Sequence, residues 1–453
     1  MKFDSTIAAI ATGTGGGIGV VRISGEKAIE VAEKIWCGRR KVADMPGYTG
    51  ALGKVSDKDG ELDEAVLFVF RAPRSYTGED VVELSCHGGA YVLQKVLSAA
   101  LAAGAMPAGA GEFTKRAFLN GKMTLTQAES VTQLITGESR QAVTAALHVK
   151  DGALFHKIEN ITTALMEQAA HITAWIDYPE EDVDEVLVID VERVVKQAEF
   201  QLQSLVNDYD KGRLIREGIS TAIVGSPNVG KSTLMNLLAG YEKSIVTDIA
   251  GTTRDVIEDR VRLGELILNI SDTAGIRATD DVVEKIGVER SMTRLKQCDL
   301  ILAVFDSSLP LTPADITLLE HLDGKLAIGI CNKSDLPCQI DQEIISQHVH
   351  AVVEISAKGG VGIDELTKQI TELVGIADLS HDAVLLANQR QLSCALEAVQ
   401  SLQQALNSLH FGETLDIVSM SLEEAIDSLL SLTGKKASTE VIEQVFEQFC
   451  VGK

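Results

Sequence analysis

The sequence predicts a multidomain fold of α/β and all-α parts: an N-terminal α+β domain, a discontinuous helical domain, and an α/β domain inserted into the helical one. Three observations predict it. The chain has 453 residues, against roughly 100–200 for an ordinary domain. Its apolar pattern changes period along its length. Two helical stretches far apart in sequence each carry an apolar face that needs a cover.

Residues 1–118 mix short alternating apolar runs with glycine-rich turns. Residues 19–23, 65–70 and 81–84 read as strands, and 90–103 as a helix. Residues 119–212 are helical in pattern. Ile158, Ile161, Leu165, Ile172 and Ile176 fall on one helix face. The acidic cluster over 177–192 reads as a solvated turn between helices. Residues 213–379 alternate strand and helix, with strand candidates at 220–224, 266–270, 300–305, 326–330 and 352–355. Such alternation implies a largely parallel sheet covered on both faces. Residues 380–453 are helical again, with Leu385, Leu392, Leu396, Val399, Leu402, Leu406 and Leu409 at helical spacing. The economical arrangement joins 119–212 and 380–453 into one helical domain. Two separate helical domains are the alternative.

Composition narrows the function. Apolar residues make up 45% of the chain, which supports packed cores and excludes global disorder. No apolar run reaches the ~20 residues of a membrane-spanning helix. The start, Met1-Lys2-Phe3-Asp4, lacks the apolar core of a signal peptide. The expectation is a cytoplasmic protein with no membrane partner. Seven cysteines are scattered at Cys37, Cys86, Cys298, Cys331, Cys338, Cys394 and Cys450, with no CxxC pair. That pattern argues against a disulfide framework and a zinc site. The formal net charge of −24 opposes phosphate-backbone binding over most of the surface. A nucleic-acid partner would need a local basic patch.

The chemistry concentrates in the inserted domain. Gly225-Ser226-Pro227-Asn228-Val229-Gly230-Lys231-Ser232 fits GxxxxGKS, between a strand run and a helical run. Its glycines let backbone N–H groups wrap phosphates at a helix N-terminus. Lys231 would reach the β and γ phosphates, and Ser232 offers a hydroxyl to magnesium. Asp272-Thr273-Ala274-Gly275 ends another strand run and supplies an acidic residue near that magnesium. Gly251-Thr252-Thr253-Arg254-Asp255 lies between them, with Thr253 as the second magnesium ligand of a segment ordered by the γ phosphate. Asn332-Lys333-Ser334-Asp335 follows a further strand. Its carboxylate accepts from the guanine N1–H and 2-amino group, whereas adenine would leave Asp335 unpaired. Ser356-Ala357-Lys358 completes a base pocket. The nucleotide is therefore GTP. Position 276, where Ras-like enzymes carry a water-orienting glutamine, holds Ile276. Asp280, Asp281 and Glu284 are the candidates to replace it.

Beyond this site, the whole chain resembles the MnmE (TrmE) family of tRNA-modification GTPases. The resemblance rests on the 111–122 segment, Gly111-Glu112-Phe113-Thr114-Lys115-Arg116-Ala117-Phe118-Leu119-Asn120-Gly121-Lys122, on Ser85-Cys86-His87-Gly88-Gly89, and on the terminal Cys450-Val451-Gly452-Lys453. It implies an N-terminal folate-binding domain that dimerises (1–118), a helical domain (119–212 and 380–453) and an inserted P-loop GTPase domain of Ras-like α/β form (213–379). The implied GTP site is Asn228, Val229, Gly230, Lys231, Ser232 and Thr233, then Thr247, Asp248, Ile249, Ala250, Gly251, Thr252 and Thr253, then Asp272, Thr273, Ala274 and Gly275, with Asn332, Lys333, Asp335, Ser356, Ala357 and Lys358 around the base. It implies potassium-stimulated hydrolysis when two such domains meet. Asn228, Thr247, Ile249 and Thr252 match the potassium ligands, and Glu284 matches the residue that orients water.

The same resemblance matches Arg22, Glu83, Lys122 and Lys453 to contacts of 5-formyl- or methylene-tetrahydrofolate, and puts Cys450 near them as a possible functional thiol. It implies a homodimer that joins an FAD-dependent partner (MnmG, or GidA) in a heterotetramer acting on tRNA. The output would be an aminomethyl or carboxymethylaminomethyl group on carbon 5 of the wobble uridine. A regulatory or ribosome-assembly GTPase is the alternative, disfavoured by the acidic balance and the lack of a basic appended domain. Two positions depart from the family: the loop 12–19 lacks a proline often found there, and Thr124 stands where an aspartate is usual, at a local capping position.

Overall fold

The computed structural model describes residues 5–178, 184–241, 258–271, 298–376 and 383–453. They form two compact units. One comprises Met1–Thr132, Val149–Gln203 and Gln389–Lys453; the other comprises Gln133–His148 and Ser204–Asn388.

The first unit holds a seven-stranded sheet of order β3-β4-β5-β6-β2-β1-β7. Its strands are β1 (Ile7–Ile10), β2 (Ile18–Ser24), β3 (Trp36–Gly38), β4 (Thr49–Asp57), β5 (Gly60–Phe70), β6 (Val81–His87) and β7 (Met106–Pro107). All pairings are antiparallel except β1 with β7. Side chains alternate across the sheet. Val21, Ile23, Leu67, Val69, Val82 and Leu84 face a core closed by the helices Ala28–Ile35 and Ala90–Ala102. The other face carries Arg22, Glu83 and Phe68, which lie side by side in register.

The segment Glu112–Leu119 is a helix whose Arg116 is fully buried. Arg116 pairs with Glu112 at 2.8 Å and Glu79 at 3.2 Å, and Glu79 also accepts from the Ser24 hydroxyl at 2.8 Å. The family-like segment thus ties a helix to the loop before β6. Thr124 still caps the next helix, Leu125–Thr136. Its N–H donates to Gln127 Oε1 at 2.9 Å, and the Gln127 N–H donates back to its hydroxyl at 3.3 Å. This reciprocal pair replaces an aspartate cap.

Helices Ala153–Asp177, Gln389–Phe411 and Leu415–Thr433 pack together, so middle and tail of the chain share a core. Leu154, Ile158, Ile161, Leu165 and Ile172 supply one stripe. The tail helix differs from its expected face. Ala395, Ala398, Val399, Leu402 and Ala405 are buried, while Leu396 is exposed. Small alanines let the helix pair approach closely, which a leucine count misses. A buried ionic group fastens this part. Arg390 Nε and Nη2 each donate to Glu129 at 2.9 Å, and the Gln391 amide donates to the same carboxylate.

The second unit holds a six-stranded sheet, order β13-β12-β11-β8-β10-β9. The strands are β8 (Ile219–Val224), β9 (Glu258–Leu263), β10 (Leu266–Ser271), β11 (Leu300–Asp306), β12 (Ala327–Asn332) and β13 (Ala351–Ile355). Only β9 runs antiparallel to its neighbour. β8, β11 and β12 are buried along almost their whole length, as central parallel strands are. Residues 133–148 belong here by packing. Ala142 enters the core of this sheet, Glu138 pairs with Arg260 at 2.8 Å, and the Arg140 N–H donates to Glu265 at 3.1 Å. The carboxyl ends of β8, β11, β12 and β13 lie along one edge, the usual ligand edge of such sheets.

Replacing Glu129 with alanine would leave the Arg390 guanidinium without its carboxylate. Removing one partner of a buried pair costs about 3–5 kcal/mol. Urea unfolding followed by helical circular dichroism should show a loss of that order for Glu129→Ala, and a change under about 0.5 kcal/mol would contradict the account.

Candidate functional site

The phosphate loop leaves β8 and enters the helix Lys231–Tyr241. Gly225 has φ 150 and a Cβ there would meet the Val304 carbonyl oxygen at 2.2 Å. Gly230 has φ 99 and a Cβ there would meet Asn332 Nδ2 at 2.2 Å. Both positions therefore require glycine. Between them Asn228 takes φ 66 and is exposed. Lys231 Nζ donates to the Gly225 and Ser226 carbonyls, each at 2.8 Å. An ammonium has three protons, so one can still reach a phosphate. Burial pushes the Lys231 ammonium below its ordinary pKa, and an anion beside it would restore the charge. Ser232 and Thr233 are exposed residues in the first helical turn. The loop suits a polyphosphate, and Ser232 suits a hard oxygen-seeking cation such as magnesium.

The base segment lies against this loop. Asn332, at the end of β12, is buried. Its Nδ2 donates to the Val229 carbonyl at 2.8 Å, and its Oδ1 accepts from the Ala357 N–H at 3.0 Å. Ser356 Oγ donates to Asp335 Oδ1 at 2.7 Å and accepts from the Gly359 N–H at 3.1 Å. That Ser356 bond, chiefly, holds the Asp335 carboxyl below its ordinary pKa. An ionised, exposed Asp335 is a pure acceptor, as the guanine edge requires. Lys333 has φ 65, and its ammonium pairs with Asp306 at 2.5 Å. Burial pushes the Asp306 carboxyl up, but its bonds from Lys333 and Ser308 outweigh this and leave it below the ordinary value. A cleft of about 230 Å³ opens beside the loop, lined by Ser226, Asn228, Asp306, Thr312, Asp315 and Lys333 among others.

A second cluster forms in the first unit. Arg22 Nε donates to Glu83 Oε1 at 2.8 Å, and Nη1 to the Gly452 carbonyl at 3.3 Å. The guanidinium lies 5.5 Å from the Phe113 ring centre and 5.8 Å from that of Tyr76. The chain terminus is held there by backbone. Val451 bridges Ala110, the Gly111 N–H donates to the Cys450 carbonyl at 3.3 Å, and the Phe113 N–H donates to the Lys453 carbonyl at 3.2 Å. Gly452 has φ 96, and a Cβ there would meet the Ile10 carbonyl oxygen at 2.4 Å. Lys122 donates to the Pro73 carbonyl at 3.1 Å, on the same loop that presents Tyr76. Cys450 is exposed. The loop 12–17 docks on Gly88, with Gly15 N–H donating to the Gly88 carbonyl at 2.9 Å.

Comparison with known proteins decides the family. The description "MnmE helical domain" matches residues 125–450, and "GTP-binding protein TrmE N-terminus" matches residues 6–122. The tRNA modification GTPase MnmE of Enterococcus faecalis is 42% identical over 100% of this chain and 99% of its own. The chain belongs to the MnmE family of tRNA modification GTPases. The MnmE of Acetivibrio thermocellus is 40% identical, with both chains covered in full. Among solved structures, a point variant of Aquifex aeolicus Era bound to GDP.AlF4- is 28% identical over 41% of this chain and 67% of that one, at a TM-score of 0.28, too low to argue from.

Several of the expected MnmE site residues lie outside the described residues: Thr247, Asp248, Ile249, Ala250, Gly251, Thr252, Thr253, Asp272, Thr273, Ala274, Gly275 and Glu284, with Ile276, Asp280 and Asp281. The remaining GTP-site expectations, from Asn228 to Thr233 and from Asn332 to Lys358, meet at one edge of the sheet. Of the folate expectations, Arg22 and Glu83 touch, Lys453 joins them through its backbone neighbours, and Lys122 reaches them through the loop at 73–76. Sequence reasoning missed Asp306 on Lys333, Asp315 on Ser226, and the Tyr76 and Phe113 rings beside Arg22. A signal for Asp306 existed, since it ends an apolar strand run as Asn332 does. Among the described residues, no group of three or more His, Cys, Asp or Glu side chains is placed to hold a metal ion, and no helix is long and apolar enough to cross a membrane.

Gly230→Ala would drive a methyl group into the Asn332 amide and break its bonds to both loops. Titration with a fluorescent GDP analogue should show at least a tenfold rise in Kd. Unchanged affinity would contradict the arrangement.

Proposed function

We propose that this chain hydrolyses GTP to drive a wobble-uridine modification complex, adding a (carboxymethyl)aminomethyl group at carbon 5. The observation that carries the reading is the joining of Asp335, Ser356 and the phosphate loop through Asn332, in a chain that its MnmE relatives match end to end. In this reading the domains are 1–118, 119–212 with 380–453, and 213–379, with the helical domain's segment 133–148 packed on the second sheet, and the protein works in the cytoplasm as a homodimer.

The chain's own residues divide the work. Lys231 and the loop N–H groups bind and orient the phosphates. Ser232 and Thr253 would hold magnesium, with Asp272 close by. Asp335 selects guanine. Asn228, with Thr247, Ile249 and Thr252, would hold a potassium ion when two G domains meet. That ion would supply the positive charge that an arginine finger supplies elsewhere. Glu284 would orient the attacking water, a task Ile276 cannot do. Hydrolysis then resets the contact between G domains and moves the rest of the protein.

The one-carbon chemistry belongs to the other cluster. Arg22 and Lys122 suit the carboxylates of a formyl- or methylene-tetrahydrofolate, Glu83 suits a polar ring edge, and Lys453 closes the site. The aromatic sides of Arg22 support a flat ligand there. Bound folate supplies the one-carbon unit, and an FAD-bearing MnmG partner supplies redox chemistry. The net charge of −24 implies that tRNA is gripped by a local patch or by the partner.

GTP turnover by the full chain in potassium against sodium tests the reading. Turnover should be at least tenfold higher in potassium. Glu284→Ala should keep GTP affinity and lose most of that turnover. Equal rates in the two salts, or parental turnover by the variant, would overturn it.

A further inference from the structure

The phosphate loop has an anchor that its own motif does not contain. Ser226 Oγ donates to Asp315 Oδ1 at 2.6 Å. Asp315 sits in the first turn of the helix Pro313–Glu320 and is 7% exposed. Its other oxygen, Oδ2, accepts from the Thr312 N–H at 3.0 Å and the Thr312 hydroxyl at 2.7 Å, completing a capping box. The carboxylate is thus held on one side by its helix and on the other by the loop. Burial pushes the Asp315 carboxyl up in pKa, but the Ser226 and Thr312 bonds outweigh this and keep it ionised. A charge-assisted bond of this kind is stronger than a neutral one.

The anchored residue is also one of the two, with Gly225, on which Lys231 rests. The Ser226 carbonyl accepts from Lys231 Nζ at 2.8 Å, so a continuous chain of bonds runs from Asp315 through Ser226 to the phosphate-binding ammonium. Two residues further on is Asn228 in its left-handed conformation. A shift of the loop at Ser226 would move both groups. Geometric errors of about 1 Å near a reacting centre can cost on the order of a hundredfold in rate.

We infer that Asp315 is a positioning residue for GTP hydrolysis, acting through the Ser226 hydroxyl to fix Lys231 and Asn228. The effect on Asn228 rests on its proposed role as a potassium ligand; the effect on Lys231 does not. The bond is made by side chains on different elements, 89 positions apart, and a purely local capping role for Asp315 would not need Ser226.

The test uses the full chain and four variants: Ser226→Ala, Ser226→Thr, Asp315→Asn and Ser226→Ala with Asp315→Asn. kcat for GTP is measured in potassium and in sodium, alongside the Kd for GDP and thermal unfolding. Ser226→Ala should lower kcat about tenfold, with GDP affinity changing less than threefold. Ser226→Thr keeps the hydroxyl and should restore at least half of parental kcat. The double variant should be no slower than the slower single one, because both remove the same bond. Parental kcat in Ser226→Ala would overturn the inference. So would additive losses, or failure of threonine to rescue with unfolding unchanged. If the parent turns over equally in both salts, the potassium reading fails. A rescuable loss in Ser226→Ala in both salts would still support the anchor on Lys231.

Discussion

The candidate GTP site is tied together by one side chain, the buried amide of Asn332. It can bond in two directions at once, and it uses both: its nitrogen holds the phosphate loop at Val229 and its oxygen holds the base segment at Ala357. A buried amide left half-satisfied would cost on the order of 1–3 kcal/mol. The two segments are therefore tied to each other through this one amide. That tie needs Gly230, because any side chain would occupy the space of the amide. It also needs β8, β11 and β12 to run parallel, so that their carboxyl ends deliver Gly225, Asp306 and Asn332 to one edge.

The same economy appears in the first unit. Arg22 makes two polar contacts and lies between two rings, and one of those contacts is to a residue 430 positions away. The tail reaches it only because Gly452 can adopt φ 96 and pass close to Ile10. Arg116 pairs with Glu79 on the loop that presents Tyr76. The polar cluster is thus built on buried ion pairs, whose value lies in holding geometry as much as in stability.

Much of this was legible in the sequence. The continuous apolar runs of β8, β11 and β12 announce buried parallel strands, and the motifs following them name the ligand edge. Other parts were not. β4 carries Gly50 and Gly53 and is half exposed, which weakens its alternation. β9 alternates Arg260 and Arg262 with the buried Val261 and Leu263 at the sheet edge, and six residues are too few to stand out. The tail helix buries alanines while leaving Leu396 outside, because close helix packing selects for small size. Within the site, motifs name residues that a ligand would touch, yet they are silent on what holds those residues. Asp306, Asp315 and Tyr76 meet Lys333, Ser226 and Arg22 only because the fold brings them near.

The most direct test of the account is nucleoside analysis of wobble uridine in tRNA from cells lacking this chain. The account predicts loss of the carbon-5 aminomethyl or carboxymethylaminomethyl group, restored by the parental chain and not by a variant that binds GTP without hydrolysing it. Fully modified uridine in cells lacking the chain would contradict it.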